Sequence, residues 1–413
     1  TLENGTRHFY ELIGGAAVLP RYAFGFGASR WGWESRQYME GVLQAFRDGR
    51  FPLDYIVLDF EWFVPETDYA YAPEGKSDYR DFGFNPKVFD QPRDQLAECK
   101  RDFHVRVGGI RKPRIGDANI LSGVRPKGWI LPNGQPGGGY PSSGHYADGR
   151  CLDFSIPSVR EWYAGQMAQY TTAGMSFWWN DEGETNYYTF WWWNVAELKA
   201  LRQVQPKQRF FSLNRAFSPG MARIGAATWT GDVEATWDDL RRTPGMMLNW
   251  VLAGAPYVGC DIGGFNGATN PMHLTRWIQV GVFMPLMRVH SHMDQKPHFP
   301  WLFGEEAADA MRKALELRYR LVPYHYSLAH RLHRTHELWI RPLVIAFPDQ
   351  PELADVTMQW MDGDILVAPV LQEGFDYDVP LPSGTWYTLA AHSAAGGGRT
   401  IEGGRRHAGH AGL

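Results

Sequence analysis

Met175-Ser-Phe-Trp-Trp-Asn-Asp181 is a short apolar run that ends in an acid. Runs of roughly four to eight such residues, bounded by turn residues, read as buried strands. The same texture recurs upstream in Tyr55-Ile-Val-Leu-Asp59 and His104-Val-Arg-Val-Gly-Gly-Ile110. Downstream it recurs in Arg209–Arg215, Ala227–Asp232, Tyr257–Asp261 and Met284–His290. Helix-like segments lie between them, at Ser35–Asp48, Ser158–Thr172, Trp193–Gln205, Thr236–Leu252, Pro271–Phe283 and Glu305–Leu332. Buried strands alternating with helices imply parallel βα units. About seven or eight such units over about 300 residues predict an α/β fold, a (β/α)8 TIM barrel rather than an open sheet. No Gly-x-Gly-x-x-Gly follows the first strand, which weakens a dinucleotide-binding reading.

The barrel is assigned to 25–335. Residues 1–24 read as a lead-in strand or linker, punctuated by Gly14, Gly15 and Pro20. The stretch 112–150, rich in Gly, Pro and Tyr, reads as a long and functional loop. Residues 336–390 read as the start of a small antiparallel β domain that stops near Tyr387. The last stretch, 391–413, is Gly, Ala, His and Arg with little to bury, and is expected to be disordered.

Composition narrows the function. The 413 residues hold 41 Lys and Arg against 45 Asp and Glu, a net charge of −4, which argues against nucleic acid or an anionic membrane as the main partner. The longest mostly apolar stretch, Met246–Cys260, is interrupted by Asn249, Gly254 and Pro256 and is too short to span a bilayer. Cys99, Cys151 and Cys260 make no disulfide framework. No charged leader with an apolar core opens the chain, and Thr1 in place of Met suggests a processed or trimmed start. Aromatic residues are 15%, with 18 Trp. Trp in a cleft is a flat apolar plate with a polar edge, which suits a sugar ring.

Several strands end in ionisable side chains: Asp59, Asp181, Arg215, Asp232, Asp261 and His290. In a barrel those ends converge on one face, where active sites sit. A lone Asp after a strand is usually a cap or turn residue. Six such groups are harder to dismiss, because burying each is costly unless it is paired or used. Two acids follow aromatic residues, in Trp179-Asn-Asp181 and Trp229-Thr-Gly-Asp232. Two carboxyls in an aromatic cleft are the minimum equipment for glycoside hydrolysis.

The chain resembles glycoside hydrolase family 31. Trp179-Asn-Asp-Glu-Gly-Glu184 is similar to the family's Trp-x-Asp-Met-Asn-Glu. Arg215-Ala-Phe-Ser-Pro-Gly220 followed by Trp229-Thr-Gly-Asp232 resembles its Arg-Ser-x-Phe-x-Gly and Trp-Thr-Gly-Asp segments. Gly254–Phe265, Met287-Arg-Val-His290, Arg341-Pro-Leu and Ile365–Val370 follow in family order. The resemblance implies a retaining α-glycosidase of the α-glucosidase kind, with no cofactor or metal, acting on a terminal α-linked hexoside or oligosaccharide. It implies Asp181 as nucleophile and Asp232 as acid/base, the latter protonated in a drier pocket. Arg215 is the implied cation. Asp59 and His290 would hold ring hydroxyls, and Trp179, Trp229 and Phe265 would wall the ring. Glu184 and Asp261 would orient the others.

Two departures bear on specificity. Lys112 stands where the family places an acid, and Glu182 where it places Met. Lys112 is expected to favour an anionic or acetamido-bearing group. Family members also carry a β-sandwich domain before the barrel, so a missing N-terminal domain or a partner chain is implied. Other readings stay open. The barrel would be a non-catalytic sugar-binding or structural subunit if turnover is absent. His290-Ser-His292 suggests a metal-dependent hydrolase but lacks a third ligand at suitable spacing. Glu61 reads equally as a sugar contact or a rim charge. Trp191-Trp-Trp193 reads as packing more than as a sugar platform.

Overall fold

The structure, a computed structural model, describes residues 1–63, 81–131, 151–184, 186–374, 378–387, 389, 400–402 and 406–407. Helix α1 (Leu2–Leu12) occupies part of the segment expected to be strand or linker. Its sequence is mostly polar and contains Asn4-Gly5, which reads locally as a turn and hides the helix. Tertiary contact holds it, with Tyr10 Oη donating to the Val251 carbonyl at 2.6 Å.

The barrel elements then alternate. They are β1 (Phe26–Arg30), α2 (Arg36–Asp48), β2 (Tyr55–Leu58), α3 (Pro92–Arg101) and β3 (Arg106–Arg111). After α4 (Ala118–Val124) and α5 (Pro157–Ala173) come β4 (Phe177–Asn180), α6 (Thr189–Val204), β5 (Ser212–Asn214) and β6 (Ala226–Trp229). The last are α7 (Trp237–Leu252), β7 (Val258–Gly259), α8 (Pro271–Gly281), β8 (Met287–Val289) and α9 (Glu305–Thr335). The eight strands form one parallel sheet in the order β7-β6-β5-β4-β3-β2-β1-β8. The seam between β7 and β8 is drawn together by Leu286 N–H on the Val258 carbonyl and by a parallel bridge between Ile262 and Val289.

Strand β1 escapes the sequence pattern because Gly27 and Ser29 dilute its apolar texture. Gly27 has a packing reason: a Cβ there would lie 2.1 Å from the Tyr55 ring, which crosses the barrel interior. Helix α3 escapes because its residues are largely charged. The long loop expected over 112–150 contains α4 within its described part, and 132–150 lie outside the described residues.

Arg318 on α9 closes the amino end of the barrel. It is fully buried and donates to the carbonyls of Phe24, Val282, Met284 and Pro285 at 2.7–3.0 Å. Beyond α9, β9 (Ile340–Pro342), β10 (Trp360–Asp362) and β11 (Ile365–Val367) make an antiparallel sheet with β10 in the centre. His325 Nε2 on α9 lies 2.7 Å from Asp362 Oδ2 on β10, tying that sheet to the barrel helix.

Of the stretch 391–413, expected to be disordered, the described residues are 400–402 and 406–407. Segments β14 (Thr400–Glu402) and β15 (Arg406–His407) pair with β13 (Thr385–Tyr387) and β12 (Asp378–Val379) respectively, both antiparallel. A strand edge offers unpaired N–H and C=O groups, which recruit a segment with few apolar side chains of its own. The other residues of 391–413 lie outside the described residues. Among the described residues, no helix is long and apolar enough to cross a membrane.

Candidate active site

Parallel register brings three strand ends to one height. Asp181 N–H donates to the Arg111 carbonyl and Arg215 N–H to the Asn180 carbonyl, both at 3.0 Å. Side chains alternate along a strand. Arg111, Asn180 and Asn214 therefore turn away from the axis, while Lys112, Asp181 and Arg215 turn towards it. On the outer side, Arg111 lies against the rings of Phe63, Phe82, Tyr170 and Trp62. Asn180 donates to Glu197 Oε2 on α6 at 2.8 Å, and Asn194 of α6 donates to Asn214 Oδ1.

On the inner side, charged groups converge. Arg215 Nη1 is 3.0 Å from Asp181 Oδ1, and Arg215 Nη2 is 3.0 Å from Asp232 Oδ2. Arg215 Nε faces Glu184 Oε1 at 3.4 Å. One guanidinium thus joins three carboxylates. Lys112 Nζ pairs with Asp181 Oδ2 and lies 3.0 Å from Glu182 Oε2. Arg114 pairs with the same Glu182 oxygen. Asp232 is not in the drier position expected of it: its side chain is 22% exposed, against 8% for Asp181.

The opposite wall is built from β8, β1 and β2. His290 Nδ1 is 2.8 Å from Ser29 Oγ, and its Nε2 is 3.9 Å from Asp59 Oδ2. Burial, reinforced by Arg288 and nearby histidines, pushes the His290 ring well below its ordinary value, so the ring is neutral. Phe265 stacks on it, with centroids 5.1 Å apart and planes 4° from parallel. Trp179 meets His290 edge-on at 4.9 Å and Trp229 at 5.6 Å. Trp229 also reaches the barrel interior, beside Tyr55, Phe177 and Arg288. Arg288 pairs with Asp261 beneath these rings.

Burial raises several carboxyls. Asp59 is pushed well above the usual carboxylate range by burial and by Glu61. Glu61, Asp261 and Glu184 are each pushed up to about 7, chiefly by burial. Glu61 is buried rather than on the rim. Trp193 is fully buried and donates to Tyr163 Oη at 2.9 Å, in agreement with packing, while Trp191 and Trp192 are half-buried under Arg223 and Arg160. His292 lies against Trp31 and Phe265. Among the described residues, no three His, Cys, Asp or Glu side chains are grouped to share a metal ion.

Comparison with known proteins decides the family. The model for the glycosyl hydrolases family 31 TIM-barrel domain matches residues 16–328, and the model for the family's C-terminal domain matches 336–409. The chain belongs to glycoside hydrolase family 31. It is 30% identical to neutral alpha-glucosidase C of Homo sapiens, over 96% of this chain and 46% of that protein. It is also 30% identical to a probable glucan 1,3-alpha-glucosidase of Oryza sativa subsp. japonica, over 95% and 45%. The chain thus spans about half the length of these curated relatives. Among solved folds, a glucosidase II alpha subunit bound to DNJ superposes with TM-score 0.83 at 24% identity, covering 98% of this chain and 46% of that one. A family 31 alpha-xylosidase from a soil metagenome, complexed with xylose, gives TM-score 0.81 at 24% identity, covering 96% and 64%.

The site residues that the resemblance assigns, Asp59, Trp179, Asp181, Glu184, Arg215, Trp229, Asp232, Asp261, Phe265 and His290, lie at or just beyond the carboxyl ends of the barrel strands. The motifs leave four contributors without a role. Ser29 lies on the strand that the pattern missed. Arg288 falls within the quoted Met287–His290 motif. Arg114 follows Lys112 by two residues, and Glu197 is a fully buried acid on α6, one turn after the buried Asn194. A charged residue at a core position is the signal that was available for Arg288 and Glu197.

Proposed function

We propose that the chain is the catalytic part of a retaining α-glycosidase that cleaves terminal α-linked hexosides. The observation that carries this reading is the Arg215 guanidinium shared by Asp181 and Asp232. It brings two carboxylates to one point beside an aromatic wall, in a chain whose curated relatives are α-glucosidases. Asp181 attacks the anomeric carbon while the bond to the leaving oxygen breaks. Asp232 delivers its proton to that oxygen. Water then attacks the anomeric carbon, Asp232 takes its proton, and the electron pair returns to the Asp181 carboxylate. For the first step the incoming sugar has to separate Arg215 from Asp232, leaving the carboxyl free to hold a proton. Asp59 and neutral His290 hold ring hydroxyls, with Phe265 and Trp179 against the ring. Glu184 and Asp261 keep Arg215 and Arg288 in place. A further domain or a partner chain completes the protein in this reading, since the chain spans about half the length of the curated relatives it matches.

The test is intact-mass analysis after incubation with 5-fluoro-glycosyl fluorides (glucosyl, galactosyl, xylosyl), which slow the second step. A mass increase mapped to Asp181 supports the reading and identifies the sugar. No labelling, with sugar binding retained, supports a non-catalytic sugar-binding barrel instead.

A further inference from the structure

Lys112 follows the last residue of β3, with a side chain only 3% exposed. Its ammonium lies between Asp181 Oδ2 and Glu182 Oε2, with the Phe60 ring 4.7 Å away. An ammonium has three donors, and two are committed to carboxylates. The neighbouring cations are committed as well, Arg114 to Glu182 and Arg215 to Asp181, Glu184 and Asp232. Lys112 therefore has little charge to offer an anionic substituent on the sugar, in contrast to what its sequence position suggests.

Its effect falls on Asp181. One oxygen of that carboxylate holds Arg215 and the other holds Lys112. A cation on each oxygen stabilises the negative charge of the carboxylate, which opposes its attack as a nucleophile and favours its departure as a leaving group. Glu182 sets how much of the ammonium Asp181 receives. Its backbone sits at φ +56°, unfavourable for a residue with a side chain, and that conformation places its carboxylate against both Lys112 and Arg114.

We infer that Lys112 is a positioning residue that assists the second step, steadying the Asp181 carboxylate as it leaves the anomeric carbon, with Glu182 as the competing acceptor. The inference rests on Asp181 being the nucleophile. As water attacks, the bond from the anomeric carbon to Asp181 breaks, and its electron pair returns to the carboxylate. The proton from water goes to Asp232, and Lys112 keeps its charge throughout.

The experiment uses the α-glycosyl fluoride whose 5-fluoro analogue labels the wild type, because its leaving group makes the first step fast. Wild type, Lys112→Met and Glu182→Gln are compared for kcat, KM and steady-state intact mass. In Lys112→Met, kcat is expected to fall ~10–100-fold, as for loss of a hydrogen bond to a charged group. KM should fall by at least as much as kcat, kcat/KM should hold or rise, and glycosyl-enzyme should accumulate on Asp181. Glu182→Gln should act the other way, with lower kcat/KM and no accumulation. It decides the matter alone if Lys112→Met fails to fold. Equal losses in kcat and kcat/KM, with KM constant and no accumulation, would overturn the role of Lys112 while labelling of the wild type leaves Asp181 as nucleophile. Absence of any wild-type labelling would remove both.

Discussion

Arg215 and Arg318 stand at opposite ends of the same barrel and are handled in opposite ways. At the carboxyl end, Arg215 is partly exposed and faces three carboxylates. At the amino end, Arg318 is sealed from water and faces four backbone carbonyls. Burial pushes the Arg318 guanidinium down to about 10, a strain that Asp362 and neighbouring tyrosines partly offset. The contrast separates two uses of one side chain. Carbonyls cannot change charge, so Arg318 is a fixed plug that joins β1, β8 and α9. Carboxylates can release a cation to a substrate or take up a proton, so the Arg215 cluster can rearrange during a reaction.

That contrast is open to attack at both ends. The largest effect is expected at the top: Asp232→Ala should reduce kcat/KM on the order of 10²–10⁴-fold for a poor leaving group. The loss should be much smaller for a glycosyl fluoride, which needs little proton assistance, and comparing the two substrates checks it. Arg318→Met should act on stability instead. Leaving four carbonyls without their buried donor should cost ~3–5 kcal/mol in urea unfolding. KM of the surviving folded fraction should be unchanged, and a raised KM would erase the division between the two ends.

An intermediate effect tests the layer between sheet and helix. Burial pushes the Glu197 carboxyl up to about 8, against an ordinary 4.5. In that window unfolding releases a proton, so stability falls as pH rises from about 4.5 and the loss is complete above about 8. Wild type should lose up to ~1.4 kcal/mol per pH unit there. Glu197→Gln should show a flatter profile, and urea midpoints at acid and alkaline pH that shift in parallel for both proteins would refute this. The smallest effect is Ser29→Ala, which removes the hydroxyl from His290 Nδ1. One such hydrogen bond is worth about 1 kcal/mol, so the melting temperature should fall slightly, and kcat/KM of the folded protein should fall by up to ~5-fold as the ring loses its anchor; an unchanged kcat/KM would show that Ser29 serves stability alone.

Much of the barrel was legible because strands β2 to β8 are short, apolar and punctuated, and several end in a polar residue. Strand β1 was not, since Gly27 is required by a ring from the neighbouring strand rather than by any local pattern. Helix α1 was hidden because Asn4-Gly5 reads as a turn, while its contact with α7 through Tyr10 is made only in the fold. The C-terminal strands β14 and β15 draw on partner edges that lie about 15 to 30 residues back in sequence. In the site, Asp181, Arg215, Asp232 and His290 were readable as strand-end groups. The drier setting expected for Asp232 was not met, because exposure depends on which loops stand over a side chain.

By itself the sequence determined the order of elements, the family, and which ionisable side chains the strand ends present. Alternation along a strand needs no tertiary information to say that Arg111 and Lys112 point to opposite sides. Only the folded sheet decided the pairings. Whether Lys112 meets a sugar or Asp181 depends on the register between β3 and β4, and that register is set by backbone hydrogen bonds between segments some seventy residues apart. Charge is local in sequence, but its partner is chosen by distance in space, and at a few ångströms inside a protein that choice outweighs the identity of the residue alone.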